Sequence, residues 1–155
     1  MTISSIEGVV VKENVQHADN RGHLSEVFTS ELVGDDIRQA NFTVAHPGVI
    51  KAFHWHRIQT DVWFCTGGTI EVALYDRREG SPTYGEKMSI VIGDMGANAT
   101  IVIPPGVAHG YRVLGNKSAS LFYMVTSKYN RADPDEERIP FDEDLINYQW
   151  KTLPR

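Results

Sequence analysis

With one cysteine, Cys65, the chain has no partner for an intrachain disulfide, and the flanking Trp63 and Phe64 mark that thiol as a core residue, not an activated nucleophile. A reducing setting is the default, so the expected location is cytoplasmic. Nowhere do about eighteen apolar residues follow one another, and Met1-Thr-Ile-Ser-Ser-Ile-Glu-Gly lacks a basic stretch leading into an apolar one. Neither a membrane span nor an export signal of that kind is expected, and no membrane partner. A basic excess is missing too: twenty acidic residues outnumber fifteen Lys and Arg, with the signs interspersed, so no nucleic-acid footprint is expected. Helical periodicity is scarce, limited to one turn after Ser30 and a short acidic piece from Asp142 to Ile146. Internal repeats and low-complexity segments are absent.

What remains is a period of two. Ile70, Val72 and Leu74 alternate with Thr69, Glu71, Ala73 and Tyr75, and Ile101 and Ile103 with Thr100 and Val102. Turn residues interrupt these strands regularly, among them His46-Pro47-Gly48, Gly67-Gly68, Glu79-Gly80-Ser81-Pro82 and Pro104-Pro105-Gly106. That spacing favours an antiparallel sandwich or barrel over alternating βαβ units. The length of 155 residues fits one domain, 1–155, with a sizeable core. The polar segment from Asn130 to Arg155 carries Ile139, Phe141, Ile146, Tyr148 and Trp150, so it is expected to pack on the body of the fold.

Candidate chemistry gathers in two stretches. Gly48-Val-Ile-Lys-Ala-Phe-His54-Trp-His56 is answered by Ile103-Pro-Pro-Gly-Val-Ala-His109-Gly110, so three imidazoles sit at the ends of apolar strands able to face each other. Histidine exchanges its proton near neutral pH and ligates metals readily, so such a cluster suggests a reactive pocket.

These stretches, with Arg21-Gly22, Glu26, Gln39, Asn41, Tyr75-Asp-Arg-Arg78, Ser81-Pro-Thr-Tyr-Gly85, Tyr123 and an acidic segment before Trp150, resemble the dTDP-4-dehydrorhamnose 3,5-epimerase family of the cupin superfamily. The resemblance runs from about Asp19 to Trp150. It implies an all-β cupin double-stranded β-helix, a jelly-roll-like antiparallel barrel with a short packed C-terminal segment, and a homodimer whose nucleotide site is completed by the partner's N-terminal segment. It also implies a cofactor-free isomerase that inverts C3, C5 or both of a nucleotide-activated 4-keto-6-deoxy sugar, in deoxysugar and polysaccharide biosynthesis. His54 would be the base, Tyr123 the acid on the opposite face, and His109 a donor polarising the keto oxygen. Asp142 would orient His54, with Glu143 and Asp144 as alternatives. Arg21, Glu26, Gln39, Asn41 and Lys51 would hold the nucleotide end, with His56 and Asp61 among the substrate-binding residues.

The chain departs from that pattern in three places. Lys51 stands where the family has an Arg, which keeps the charge and loses the bidentate fork. Asp61 stands where it usually has a Lys that helps hold the enolate, and His56 where Gln is common. Together they create the spacing His54-x-His56-x4-Asp61, followed by His109. That suits a competing arrangement: one divalent transition metal on His54, His56, Asp61 and His109, serving a metal-dependent isomerase or oxygenase. A non-catalytic sugar-binding protein is the third reading.

Overall fold

A computed structural model describes residues 4–34 and 36–150 of the chain. Among the described residues twelve strands form, in chain order β1 (Val10–Glu13), β2 (Gln16–Asp19), β3 (Gly22–Ser25), β4 (Gln39–Ala45), β5 (Ile50–Trp55), β6 (Asp61–Gly67), β7 (Thr69–Asp76), β8 (Lys87–Gly93), β9 (Ala99–Ile103), β10 (Val107–Leu114), β11 (Ala119–Val125) and β12 (Glu137–Arg138). One five-stranded sheet has the order β1-β9-β6-β11-β4 and a second the order β12-β5-β10-β7-β8, with every pairing antiparallel. The hairpin β2–β3 stands apart as a two-stranded sheet.

The all-β, jelly-roll character agrees with the sequence pattern, but the expected barrel does not. Both sheets are open, ending on β1 and β4 in one and on β12 and β8 in the other. Period-two alternation makes a sheet face, and it carries no information about whether the last strand finds the first. The single helical turn after Ser30 is present as a 3-10 turn, Ser30–Leu32, whereas Asp142 to Ile146 forms turns and no helix.

Alternation sorts the side chains into layers. Trp63, Ile70, Val72, Leu74, Ile101, Ile103, Tyr111, Val113 and Leu121 fill the space between the sheets. Their neighbours in sequence point outward. On the second sheet that outer face (Phe53, Ala73, Tyr75, Ala108) is covered by Ile146 and Trp150 of the C-terminal segment, and on the first, Val62, Val102 and Met124 lie under Phe28, Leu32, Val33 and Ile37. The expected packing of the tail therefore holds as far as Trp150, and its last five positions lie outside the described residues, as do the first three of the N-terminal stretch.

Candidate active site

Between the sheets, one cavity of about 790 Å³ opens to the surface. Gln39, Asn41 and Thr43 of β4, Asp61 and Trp63 of β6, and Leu121 and Tyr123 of β11 line one wall, while Lys51 and His54 of β5 and Tyr111 of β10 line the other. Strict alternation would send Lys51 and His54, three residues apart, to opposite faces. A bulge corrects this: Tyr111 pairs with Lys51 and His109 with His54, so three residues of β5 span two of β10. At the same place β10 needs Gly110, because a Cβ there would lie 2.3 Å from that of Ala52.

The imidazoles meet where β5 and β10 cross the start of β6. His54 and His109 stack edge to face with centroids 4.2 Å apart, and His56 lies 5.6 Å from His54 and 5.5 Å from His109. Asp61 faces them from the opposite sheet, with Oδ1 3.5 Å from His56 Nε2 and Oδ2 3.6 Å from His109 Nε2. Its carboxylate accepts bonds from Gln59 Nε2 at 2.7 Å and Trp63 Nε1 at 3.0 Å. His56 Nδ1 bonds the carbonyl of Asp135, and His109 Nδ1 that of Val107 at 2.9 Å. As carbonyls only accept, both Nδ1 atoms carry the proton, so in the uncharged rings both Nε2 atoms present lone pairs on the side of Asp61, that of His56 accepting from Gln59 Nε2 at 3.2 Å. Asp135 also fixes the chain that follows His56, its carboxylate accepting from the backbone N–H groups of Arg57, Ile58 and Gln59 at 2.8, 3.0 and 2.9 Å.

Burial, followed by the adjacent His109, holds the His54 imidazole far below its ordinary pKa, so at neutral pH it is an uncharged base. Burial pushes Asp61 upward, but the contact with His109, the electrostatic influence of the His109 and His56 rings and the Trp63 N–H outweigh it and keep the carboxyl ionised. Tyr123 is raised by burial and then by Asp61 and Glu136, which keeps its proton on.

The structure thus brings His54, His56, Asp61 and Tyr123 together with Gln39, Asn41 and Lys51 around one cavity. His109 lies behind His54, 1% exposed, and does not line the wall. Asp142 is exposed and lines nothing here, and neither Glu143 nor Asp144 reaches the cavity. Arg21 and Glu26 are exposed on and beside the β2–β3 hairpin, where Arg21 pairs with Asp19. Trp63, Gln59, Tyr111 and Asp135 escaped the sequence reading. Trp63 and Gln59 each lie two residues from Asp61, and on a strand that spacing was their available signal. The expectation of a cofactor-free site is also corrected, in favour of its stated alternative: ligand atoms of His54, His56, Asp61 and His109 all lie within 4.8 Å of one another and could hold a metal ion.

Three comparisons bear on this site. The family model described as dTDP-4-dehydrorhamnose 3,5-epimerase matches residues 4–154. The chain is 44% identical over 153 residues to the spore coat polysaccharide biosynthesis protein SpsL of Bacillus subtilis, covering 95% of this chain and 97% of that one. It is 40% identical to the probable low-salt glycan biosynthesis epimerase Agl13 of Haloferax volcanii, covering 94% and 95%. In fold it matches the crystal structure of a dTDP sugar isomerase from Desulfovibrio desulfuricans G20 with a TM-score of 0.88, at 24% identity over 97% of this chain and 95% of that one.

Proposed function

This chain belongs to the dTDP-4-dehydrorhamnose 3,5-epimerase family, and we propose that its cavity performs that family's chemistry with His54 as the base. It is an isomerase, a 3- and/or 5-epimerase of a nucleotide-activated deoxysugar in nucleotide-sugar biosynthesis. A C4 carbonyl acidifies the C–H bonds at C3 and C5. His54 takes one such proton, the electron pair moves onto the C4 oxygen as an enolate, and Tyr123 delivers a proton to the opposite face of the carbon as the enolate collapses; solvent water then reprotonates Tyr123 and accepts the proton held by His54. Placement carries this reading: His54 on β5 and Tyr123 on β11 line one cavity from opposing sheets. Asp61 supplies the carboxylate beside the histidines that Asp142 was expected to supply, and His109 acts through its contacts with His54 and Asp61.

The nucleotide end lies along Gln39, Asn41 and Lys51, with Lys51 and Lys128 providing point charges for the diphosphate. Arg21 and Glu26 reach a site only when a second copy presents its hairpin, so the working unit is a homodimer. In support, Val15 and Leu24 around that hairpin are 67% and 61% exposed, and the edge strand β4 leaves Phe42 63% exposed. No helix among the described residues is long and apolar enough to cross a membrane. We place the enzyme in the cytoplasm as one domain, its thiol buried and free.

The test is proton NMR of the protein with dTDP-4-keto-6-deoxyglucose in D₂O. The C3 or C5 signal, or both, disappears as solvent deuterium enters. Retention of both signals alongside intact substrate overturns the assignment for this sugar nucleotide.

A further inference from the structure

We propose that His54, His56, Asp61 and His109 form a binding site for one divalent transition-metal ion, and that this ion and the base function of His54 exclude one another.

Three observations point to the ion. Ligands about 2.1 Å from a common ion stand roughly 3.4 Å apart at tetrahedral geometry, and Asp61 lies 3.5 Å from His56 Nε2 and 3.6 Å from His109 Nε2, too far for hydrogen bonds and close to that spacing. Secondly, His109 Nε2 is fully buried and has no hydrogen-bond partner among the described residues. A buried lone pair aimed at a carboxylate is two acceptors facing each other, which a cation between them resolves. Thirdly, the surroundings are those of a ligand set. Both Nδ1–H groups are tied to backbone carbonyls, which selects the tautomer with Nε2 free, and the carboxylate is held by Gln59 and Trp63. A proton shared between Asp61 and His109 is the competing arrangement, with His56 Nε2 accepting from Gln59 Nε2 at 3.2 Å, and the cobalt titration below separates the two. Three nitrogens and one carboxylate oxygen suit Zn²⁺, Co²⁺, Ni²⁺ or Fe²⁺.

The exclusion half rests on the epimerase reading given above. A nitrogen lone pair given to a metal is not available to a sugar proton, so filling the site silences His54. The binding half stands without that reading.

The experiment titrates chelator-stripped, full-length protein with Co²⁺, following its visible ligand-field bands and the bound cobalt by elemental analysis. In the same samples, deuterium entry into dTDP-4-keto-6-deoxyglucose is measured. One equivalent of cobalt is expected. His56→Gln weakens binding by more than the roughly 10–100-fold that losing an outer partner of a ligand costs, whereas His46→Gln, on the surface, leaves it unchanged. Should His56→Gln fail to fold, Asp61→Asn, which keeps the shape, carries the same expectation. Absence of ligand-field bands at millimolar Co²⁺, or equal binding by these variants and the wild type, overturns the site. Deuterium entry should fall in proportion to bound cobalt, and undiminished entry with the site full overturns the exclusion. Cobalt bands in a protein that shows no deuterium entry even when stripped would instead sink the epimerase reading and leave the metal site standing.

Discussion

Asp61 and Asp76 are both sealed from water, at 2% and 0% exposure, and the fold treats them in opposite ways. Asp76 ends β7 facing a full complement of donors. Arg78 reaches it through Nε and Nη2, both at 2.8 Å, and the hydroxyls of Ser81 and Thr83 donate at 2.6 Å each. Arg78 in turn caps the Glu7 carbonyl and lies against Gly106, where a Cβ would come within 2.5 Å of its Cγ. Asp61 has two neutral donors and two imidazole nitrogens beyond hydrogen-bond range. A buried carboxylate with its counter-ion in place knits loops together. One left half-matched among histidines is costly to the fold, and such positions cluster where chemistry is done.

The largest expected effect falls on the first of these regions. His54→Ala removes the proposed base, and deuterium entry into the sugar should drop by roughly 10²–10⁴-fold. The melting temperature should barely move, because His54 makes no hydrogen bond to any described residue that would be lost. A variant that unfolds, or keeps its exchange rate, breaks the comparison at its functional end.

Asp76→Ala should do the reverse. It strands the Arg78 guanidinium and two hydroxyls, and losing one partner of a buried ion pair costs about 3–5 kcal/mol. Denaturant unfolding would read that loss, while exchange per folded molecule stays near wild type. The carboxyl is pressed upward by burial but held below its ordinary value by Arg78, Ser81 and Thr83. A lowered folded pKa means the stabilisation is complete above the unfolded value of about 3.9 and drains away as pH falls below it. Acid unfolding of the wild type should therefore be steeper below about pH 4 than that of Asp76→Asn, which has no such proton to take up. Superimposable acid profiles would show that Asp76 is not the group responsible.

The two aspartates also mark what could be read from the chain alone. Alternation in Ile70, Val72 and Leu74 announced the strands, and the spacing of His54, His56, Asp61 and His109 announced the cluster, because strand geometry converts sequence intervals into faces. Asp142 was expected at the histidines, and the structure leaves it exposed because the C-terminal segment spends Ile146 and Trp150 on the outer face of the second sheet. Lys51 joins His54 only through a bulge, which no periodicity reveals. Asp76 and Ser81 belonged to segments noted for their resemblance to a family, and only the folded contacts show that they secure the loop after β7. Sheet closure was misjudged for a related reason: which edges remain open depends on strand order, a property of pairings far apart in sequence.

The smallest effects give the sharpest comparison, since they remove one hydrogen bond from each aspartate. Ser81→Ala takes a donor from Asp76, which retains Arg78 and Thr83, and should cost about 1–1.5 kcal/mol with no change in exchange rate. Trp63→Phe takes from Asp61 one of its two donors and keeps most of the ring that packs against His109 at 5.2 Å. Its stability cost should be of the same size, about 1–2 kcal/mol. Its effect on exchange should not be the same. With only Gln59 left to hold it, the carboxylate can turn away from His56 and His109, and exchange should fall by about tenfold, the equivalent of 1.4 kcal/mol in the barrier. If both variants lost stability alike and neither lost exchange, the orientation of Asp61 would be a matter of folding alone, and the distinction between the two buried acids would collapse.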